Sequence, residues 1–217
     1  MIPFLAKLKL IEPFKSNDIN FKSLFKAAQE FLDLSEDEGS VYRLIVGTDQ
    51  ISKEEVFSDI MLLLVAGFDT TSHAITSILY QLKKSPSKLQ KLVDELEAKG
   101  LNNVDPLDTE TLKRLYEECD YLNYVIKEGL RIDPPATVGL KYQANQDVTL
   151  CGVHFEKGTI FGYSIIMPHY NPRDWHEPEE FIPERFDPES KYFYKPGTET
   201  SRDPKSYIPF STGIRNC

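Results

Sequence analysis

Three short segments of this 217-residue chain carry side chains whose types and spacing can do chemistry. The last of them, Pro209-Phe210-Ser211-Thr212-Gly213-Ile214-Arg215-Asn216-Cys217, ends in a thiol. Once deprotonated, that thiol is a ligand for a soft metal. Gly213 permits a tight loop around it, and Arg215 can hold an anionic group beside the same centre. Standing alone, a cysteine there is ordinarily inert, because thiolate character needs positive surroundings. A second segment, Asp69-Thr70-Thr71, follows Ala66-Gly67 and interrupts a strongly apolar stretch. A carboxylate and hydroxyls in apolar surroundings are costly unless bonded. Either they bond back to the preceding turn and bend the helix, or they leave room for a water or ligand oxygen. Third, Glu128 and Arg131 sit three apart and share one helix face. On any helix such a pair is ordinarily solvated and contributes under ~1 kcal/mol. Glu199 and Arg202 repeat the same spacing in a loop bounded by Pro and Gly.

The elements that position these segments follow from pattern and punctuation. An amphipathic stretch, Phe21 to Leu34, ends in the acidic run Ser35-Glu36-Asp37-Glu38-Gly39. Ser52 and Glu55 form a capping box and no proline follows until Pro86, so residues 53–84 are expected to make one helix about 48 Å long at ~1.5 Å per residue. Its middle, Ile60 to Ala66, is apolar all round, which predicts a central helix surrounded by other elements. Ser85 and Pro86 start a surface helix through Leu89, Leu92, Val93 and Leu96, closed by Gly100. A third helical pattern (Tyr121, Leu122, Val125, Ile126, Leu130) runs to Arg131 and stops at Asp133-Pro134-Pro135. From Val138 to Met167 short apolar runs broken by Gly152, Gly158 and Gly162 predict a small β-region. Pro and Gly then crowd residues 168–217, an ordered coil. The fold class expected is mainly α with a small β-region, in one unit rather than two domains.

Composition narrows the function. With Lys plus Arg 25 against Asp plus Glu 34, the net charge is -9, which repels phosphate backbones, so nucleic acid is not an expected partner. The longest apolar run, Ile60 to Phe68, is nine residues between Asp59 and Asp69, far short of the ~20 that cross a bilayer. The first 14 residues carry Lys7 and Lys9 and lack a small-residue cleavage site, unlike a signal peptide. Three cysteines, Cys119, Cys151 and Cys217, suit neither a disulfide framework nor paired zinc ligands and point to a reducing, cytosol-facing compartment.

Taken together and in order, the segments resemble the cytochrome P450 family. Ala66-Gly67-Phe68-Asp69-Thr70-Thr71 is similar to its oxygen-activating helix motif, Glu128-Gly129-Leu130-Arg131 to its Glu-x-x-Arg motif, and Pro183-Glu184-Arg185-Phe186 to its Pro-Glu-Arg-Phe motif. Phe210 to Cys217 resembles its haem loop, Phe-x-x-Gly-x-Arg-x-Cys. The likeness runs from about Ser52 to the end, corresponds to roughly the C-terminal half of a complete member, and is nearest in wording to microsomal eukaryotic members.

The resemblance implies a haem-thiolate monooxygenase that inserts one oxygen atom from O2 into an apolar organic substrate, with haem b as cofactor. Cys217 would be the iron ligand, with Phe210, Gly213 and Arg215 contributing to the haem loop. Glu128, Arg131 and Arg185 would form a buried structural triad. Asp69 and Thr70 would deliver protons to dioxygen. Electrons would come from an NADPH-dependent reductase or another redox protein. The five basic and two acidic side chains of residues 191–217 offer such a partner a positive surface. His169 and Trp175 fall where members often have a His and a Trp, and read as packing or capping residues. His73, His154 and His176 read as ordinary.

Because the sequence stops at its proposed ligand, it is expected to be a fragment lacking the family's membrane anchor. A complete member would sit on the cytosolic face of the endoplasmic reticulum. Two alternatives accompany the monooxygenase: a non-catalytic truncated remnant unable to hold haem, and a haem-thiolate isomerase, against which Asp69-Thr70 argues.

Overall fold

The computed structural model of the chain describes Ser23, Lys26 and residues 53–105, 108–214 and 216–217. The stretch Phe21 to Leu34 apart from Ser23 and Lys26, the acidic run after it, the cap residue Ser52 and the proposed anion-binding Arg215 lie outside the described residues. By its internal contacts the chain divides into two compact units, Met1–Asp69 and Thr70–Cys217, the boundary falling inside the helix Lys53–Lys84.

Helix α1 (Lys53–Lys84) is 32 residues long, as the absence of proline requires, and carries Lys83 and Lys84 in its last turn, where they complement the negative end of the helix dipole. It is unbroken through Gly67 and Thr71. One glycine and exposed hydroxyls do not interrupt its hydrogen-bond ladder. The expectation of a covered centre meets a difference. Met61 is buried, but Leu62, Leu63, Leu64, Val65 and Phe68 are exposed, Phe68 by 76%. Among the described residues nothing covers them. Over Met61–Lys84 the helix is long and apolar enough to cross a membrane, by length and composition only. Counting the uninterrupted apolar run missed this, since the average tolerates Asp69 and the hydroxyls around it.

The second unit is built around α2 (Pro86–Ala98), α3 (Thr109–Glu118) and α4 (Asp120–Ile132). Pro86 opens α2 without a side-chain cap from Ser85. Gly100, at φ +66, closes it: its amide donates to the Glu97 carbonyl at 2.9 Å and the Leu101 amide to the Leu96 carbonyl at 2.8 Å, with Leu101 buried. Asp108 caps α3 by accepting from the Thr111 amide at 2.9 Å. Helix α3 is separate from α4; the sequence pattern marked only the stretch from Tyr121 to Arg131. The start of α4 is capped across the structure by Glu95 of α2, whose two carboxylate oxygens accept from the Tyr121 and Leu122 amides at 2.8 and 2.9 Å.

Leu82, Leu92, Tyr121, Val125, Ile132 and Phe181 form the apolar core of this unit, with Ile78, Leu96 and Tyr170 packed against it. A Cβ added to Gly129 would stand 2.2 Å from Cγ1 of Ile78, so the glycine lets α4 approach the end of α1 closely. The small β-region comprises β1 (Tyr142–Gln143), β2 (Val148–Leu150), β3 (Val153–Phe155) and β4 (Ile160–Phe161). Antiparallel pairs β1·β4 and β2·β3 form two separate two-stranded ladders. The rest is coil with a short helix, α5 (Ile166–His169), and three 3-10 turns, Pro183–Phe186, Lys191–Phe193 and Pro204–Ser206.

Candidate functional site

The polar side chains that sequence reading singled out on α4 are its most buried ones. Val125 and Ile132 turn toward the apolar core, and the same face carries Glu128 and Arg131, both 0% exposed. Arg131 grips Glu128 with two parallel bonds, Nε to Oε2 at 2.7 Å and Nη2 to Oε1 at 2.8 Å, a bidentate geometry that a solvated pair rarely holds. From the Pro183–Phe186 turn Arg185, also 0% exposed, donates from Nε to Glu128 Oε1 at 3.0 Å. The Ile182 amide donates to the same oxygen at 2.8 Å. One carboxylate therefore holds two guanidinium groups and a backbone amide.

Backbone carbonyls take the remaining guanidinium protons. Arg131 donates to the carbonyls of His169, Pro178 and Glu180 at 2.8, 2.8 and 3.1 Å. Arg185 donates to those of His176, Glu177 and Glu180. The irregular coil is thus ordered by side-chain donors where no ladder exists. Burial pulls the Arg185 guanidinium below its usual value while the Glu128 carboxylate pushes the other way. No buried side-chain nitrogen or oxygen among the described residues lacks a partner.

Arg202 was passed over on sequence as half of an inert loop pair, yet it joins this cluster. Its guanidinium lies 4.3 Å from the centre of the Trp175 ring and donates to the carbonyls of Tyr192, Phe193 and Arg185 at 2.8, 2.5 and 2.5 Å. Burial, with Arg185 nearby, brings it down to about 10. The one sequence signal was the lone Trp175, since an aromatic face can receive a cation in an apolar interior. His169, read as a packing or capping residue, is 0% exposed and takes part in the same cluster. Burial lowers its imidazole to about 4.

The loop that ends the chain is folded by two left-handed residues, Ser211 at φ +68 and Gly213 at φ +86. The Cys217 amide donates to the Phe210 carbonyl at 2.9 Å, the Asn216 amide to the Gly213 carbonyl at 3.2 Å, and the Ser211 amide to the Ile208 carbonyl at 2.9 Å. Tyr163 bonds its hydroxyl to that of Ser211. A Cβ on Gly139 would stand 2.0 Å from Cζ of Tyr163, so the placement of this ring also depends on a glycine. Cys217 is exposed, as are its neighbours Phe210 by 53% and Ile214 by 103%. A soft thiol donor in a loop that also exposes apolar side chains fits an apolar cofactor that carries a metal. No group of three or more His, Cys, Asp or Glu able to hold a metal is found among the described residues. Cys217 therefore stands as a single-ligand candidate. Asp69 and Thr70 lie on exposed turns of α1.

A family model described as Cytochrome P450 matches residues 18–217. Among curated proteins, cytochrome P450 3A18 of Rattus norvegicus is 37% identical over 167 residues, 77% of this chain and 31% of its own length. Cytochrome P450 3A31 of Mesocricetus auratus is 31% identical over 228 aligned residues, covering 100% of this chain and 42% of its own length. Among solved structures, retinoic acid bound cyanobacterial CYP120A1 superposes with a TM-score of 0.72 at 27% identity over 94% of this chain and 44% of that one. The chain spans about a third of the length of the curated relatives it matches first, 31% and 30%.

Proposed function

The chain belongs to the cytochrome P450 family, and from that premise we propose that it supplies the thiolate-bearing part of a haem monooxygenase acting on an apolar organic substrate. Haem b, when bound, supplies the activation of O2; the chain's own residues hold and orient it. In this reading Cys217 holds the iron, Phe210 and Gly213 shape the loop around the sulfur, and Arg215 pairs with a haem carboxylate. Glu128, Arg131 and Arg185 act structurally, as a lock on the coil that leads to the loop. Asp69 and Thr70 would hold and pass protons to dioxygen.

The observation that carries the reading is the cysteine loop itself: an exposed thiol on a tight turn, open apolar side chains beside it, and hydrogen bonds that fix the approach of the chain. Buried structure would have no use for such a display, because Phe210 and Ile214 lose apolar stabilisation of roughly 25 cal/mol per Å2 by standing open. The segment of residues 191–217, with five basic and two acidic side chains, suits an acidic redox protein such as an NADPH-dependent reductase. The location this implies is the cytosolic face of the endoplasmic reticulum.

The test is spectroscopic. The 217-residue chain, produced with haem available, is reduced under carbon monoxide and its absorption recorded. The red-shifted band of a thiolate-ligated haem is expected. Its absence in a folded chain, with Trp175 fluorescence reporting a native core, sinks the proposal for this chain and leaves the non-catalytic remnant.

A further inference from the structure

The imidazole of His169 joins two elements that the proposed chemistry needs in register. Its Nε2 lies 2.9 Å from the Ile208 amide nitrogen, and its Nδ1 lies 3.1 Å from the Arg131 carbonyl oxygen. An amide can only donate and a carbonyl can only accept, so the two contacts together specify the ring. Nε2 is bare and accepts, Nδ1 carries the single proton and donates, and the imidazole is neutral. Arg131 answers with its own side chain, donating from Nη1 to the His169 carbonyl at 2.8 Å. Each residue thus bonds its side chain to the other's backbone. The ring is further fixed by stacking on Tyr207, with centroids 5.5 Å apart and planes at 27°.

Downstream, each backbone group bonded to this ring sits close to the next bond along the chain. Ile208 accepts at its carbonyl from Ser211, whose φ of +68 a side-chain residue adopts only when its surroundings impose it. Phe210, between them, accepts from the Cys217 amide. We propose that His169 is a positioning residue for the proposed haem ligand: as a neutral bridge it ties the Arg131 backbone to Ile208 and through the Ser211 turn sets where the Cys217 loop lies. This rests on the reading of Cys217 as an iron ligand, and it extends that reading by giving the loop a defined anchor in the buried charge cluster.

Three substitutions separate the two ends of the bridge. His169→Phe keeps the ring and its stacking on Tyr207 but removes both bonds. His169→Asn keeps a donor near the position of Nδ1 and falls short of Ile208. His169→Gln places an acceptor near the position of Nε2. In the full chain, backbone amide exchange at Ile208, Ser211 and Cys217 is followed by NMR, and the thiolate band is recorded with haem and carbon monoxide. The expected result is exchange about tenfold faster in the Phe and Asn variants, a loss of thiolate band in both, and recovery of both signals in the Gln variant. Wild-type exchange in all three variants, or rescue by Asn equal to that by Gln, overturns the role of His169. If the wild type gives no thiolate band while exchange follows the expected order, the haem reading fails and the anchoring role stands. If the band is present and exchange is indifferent to residue 169, the anchoring role alone fails. Should the Phe variant not fold, the Asn and Gln pair decides.

Discussion

The cluster around Glu128 and the exposed turns of α1 reverse the usual partition of a protein in opposite senses. In the first, three ionised side chains are 0% exposed. In the second, Leu62, Leu63, Leu64, Val65 and Phe68 face solvent. Burial is tolerated in the cluster because every buried side-chain nitrogen and oxygen has a partner, on one carboxylate or the carbonyls of the coil, with the Trp175 ring beside Arg131. Exposure on α1 marks a helix whose composition is made to be covered. The cluster assembles from residues 128–208, all within one unit, whereas an all-round apolar helix needs partners on every side.

The sharpest way to break the contrast is to remove its carboxylate. Glu128→Gln, which leaves Arg131 and Arg185 without their counter-charge, is expected to cost about 3 to 5 kcal/mol, read as a fall in the urea midpoint. A midpoint within experimental error of wild type would mean that the carbonyls alone hold the two guanidinium groups.

Acid should reach the cluster through His169. Its folded value is lowered from 6.5 to about 4, so between those limits the unfolded chain binds the proton and the folded one does not. The stability contributed is complete above about pH 6.5 and is lost as pH falls toward 4, by up to about 3 kcal/mol. Arg131 faces the ring from α4 and Tyr207 from the coil, and burial raises the Tyr207 hydroxyl well above that window. Unfolding free energy measured across this range should flatten in His169→Gln; an equal slope in both proteins assigns the loss to carboxylates.

A smaller effect is expected where α4 meets the end of α1. Gly129→Ala pushes a Cβ to 2.2 Å from Ile78 Cγ1, an overpacking of about 1 to 3 kcal/mol by thermal unfolding. With Ile78→Ala, which removes Cγ1, the double variant should lose less stability than the sum of the two single changes, and strict additivity would place the strain elsewhere. Smallest of all, Phe68→Ser on the exposed stretch is expected to change stability by no more than about 0.5 kcal/mol, while Met61→Ala on the same helix costs more. A large loss at Phe68 would mean that something covers α1 in solution.

How much was legible beforehand differs by residue. The Glu128–Arg131 spacing could be seen, but it is indistinguishable from Glu199–Arg202, and only the motifs in sequence around it lent it meaning. Arg185 entered through the same resemblance. Arg202 and the bridging role of His169 were not legible, because their partners are backbone carbonyls and amides of a coil, groups that every sequence possesses and none advertises. The uncovered state of α1 was equally hidden: periodicity reports that a face is apolar, never what lies on it. Gly67 and the hydroxyls after it marked a weak point in the ladder, and the continuous helix shows that a weak point is not a break.

Sequence alone determined the helices that became α1, α2 and α4, where they stop, and which family the chain belongs to, since capping residues, prolines and short motifs act through neighbours within a few positions. Only the tertiary structure decided that Glu128 holds two arginines and an amide, that Arg202 lies on Trp175, and that His169 is bare at Nε2. Those outcomes depend on distances between residues tens of positions apart. A hydrogen bond forms only where donor and acceptor come within about 3 Å, and it is packing, not order along the chain, that brings them there.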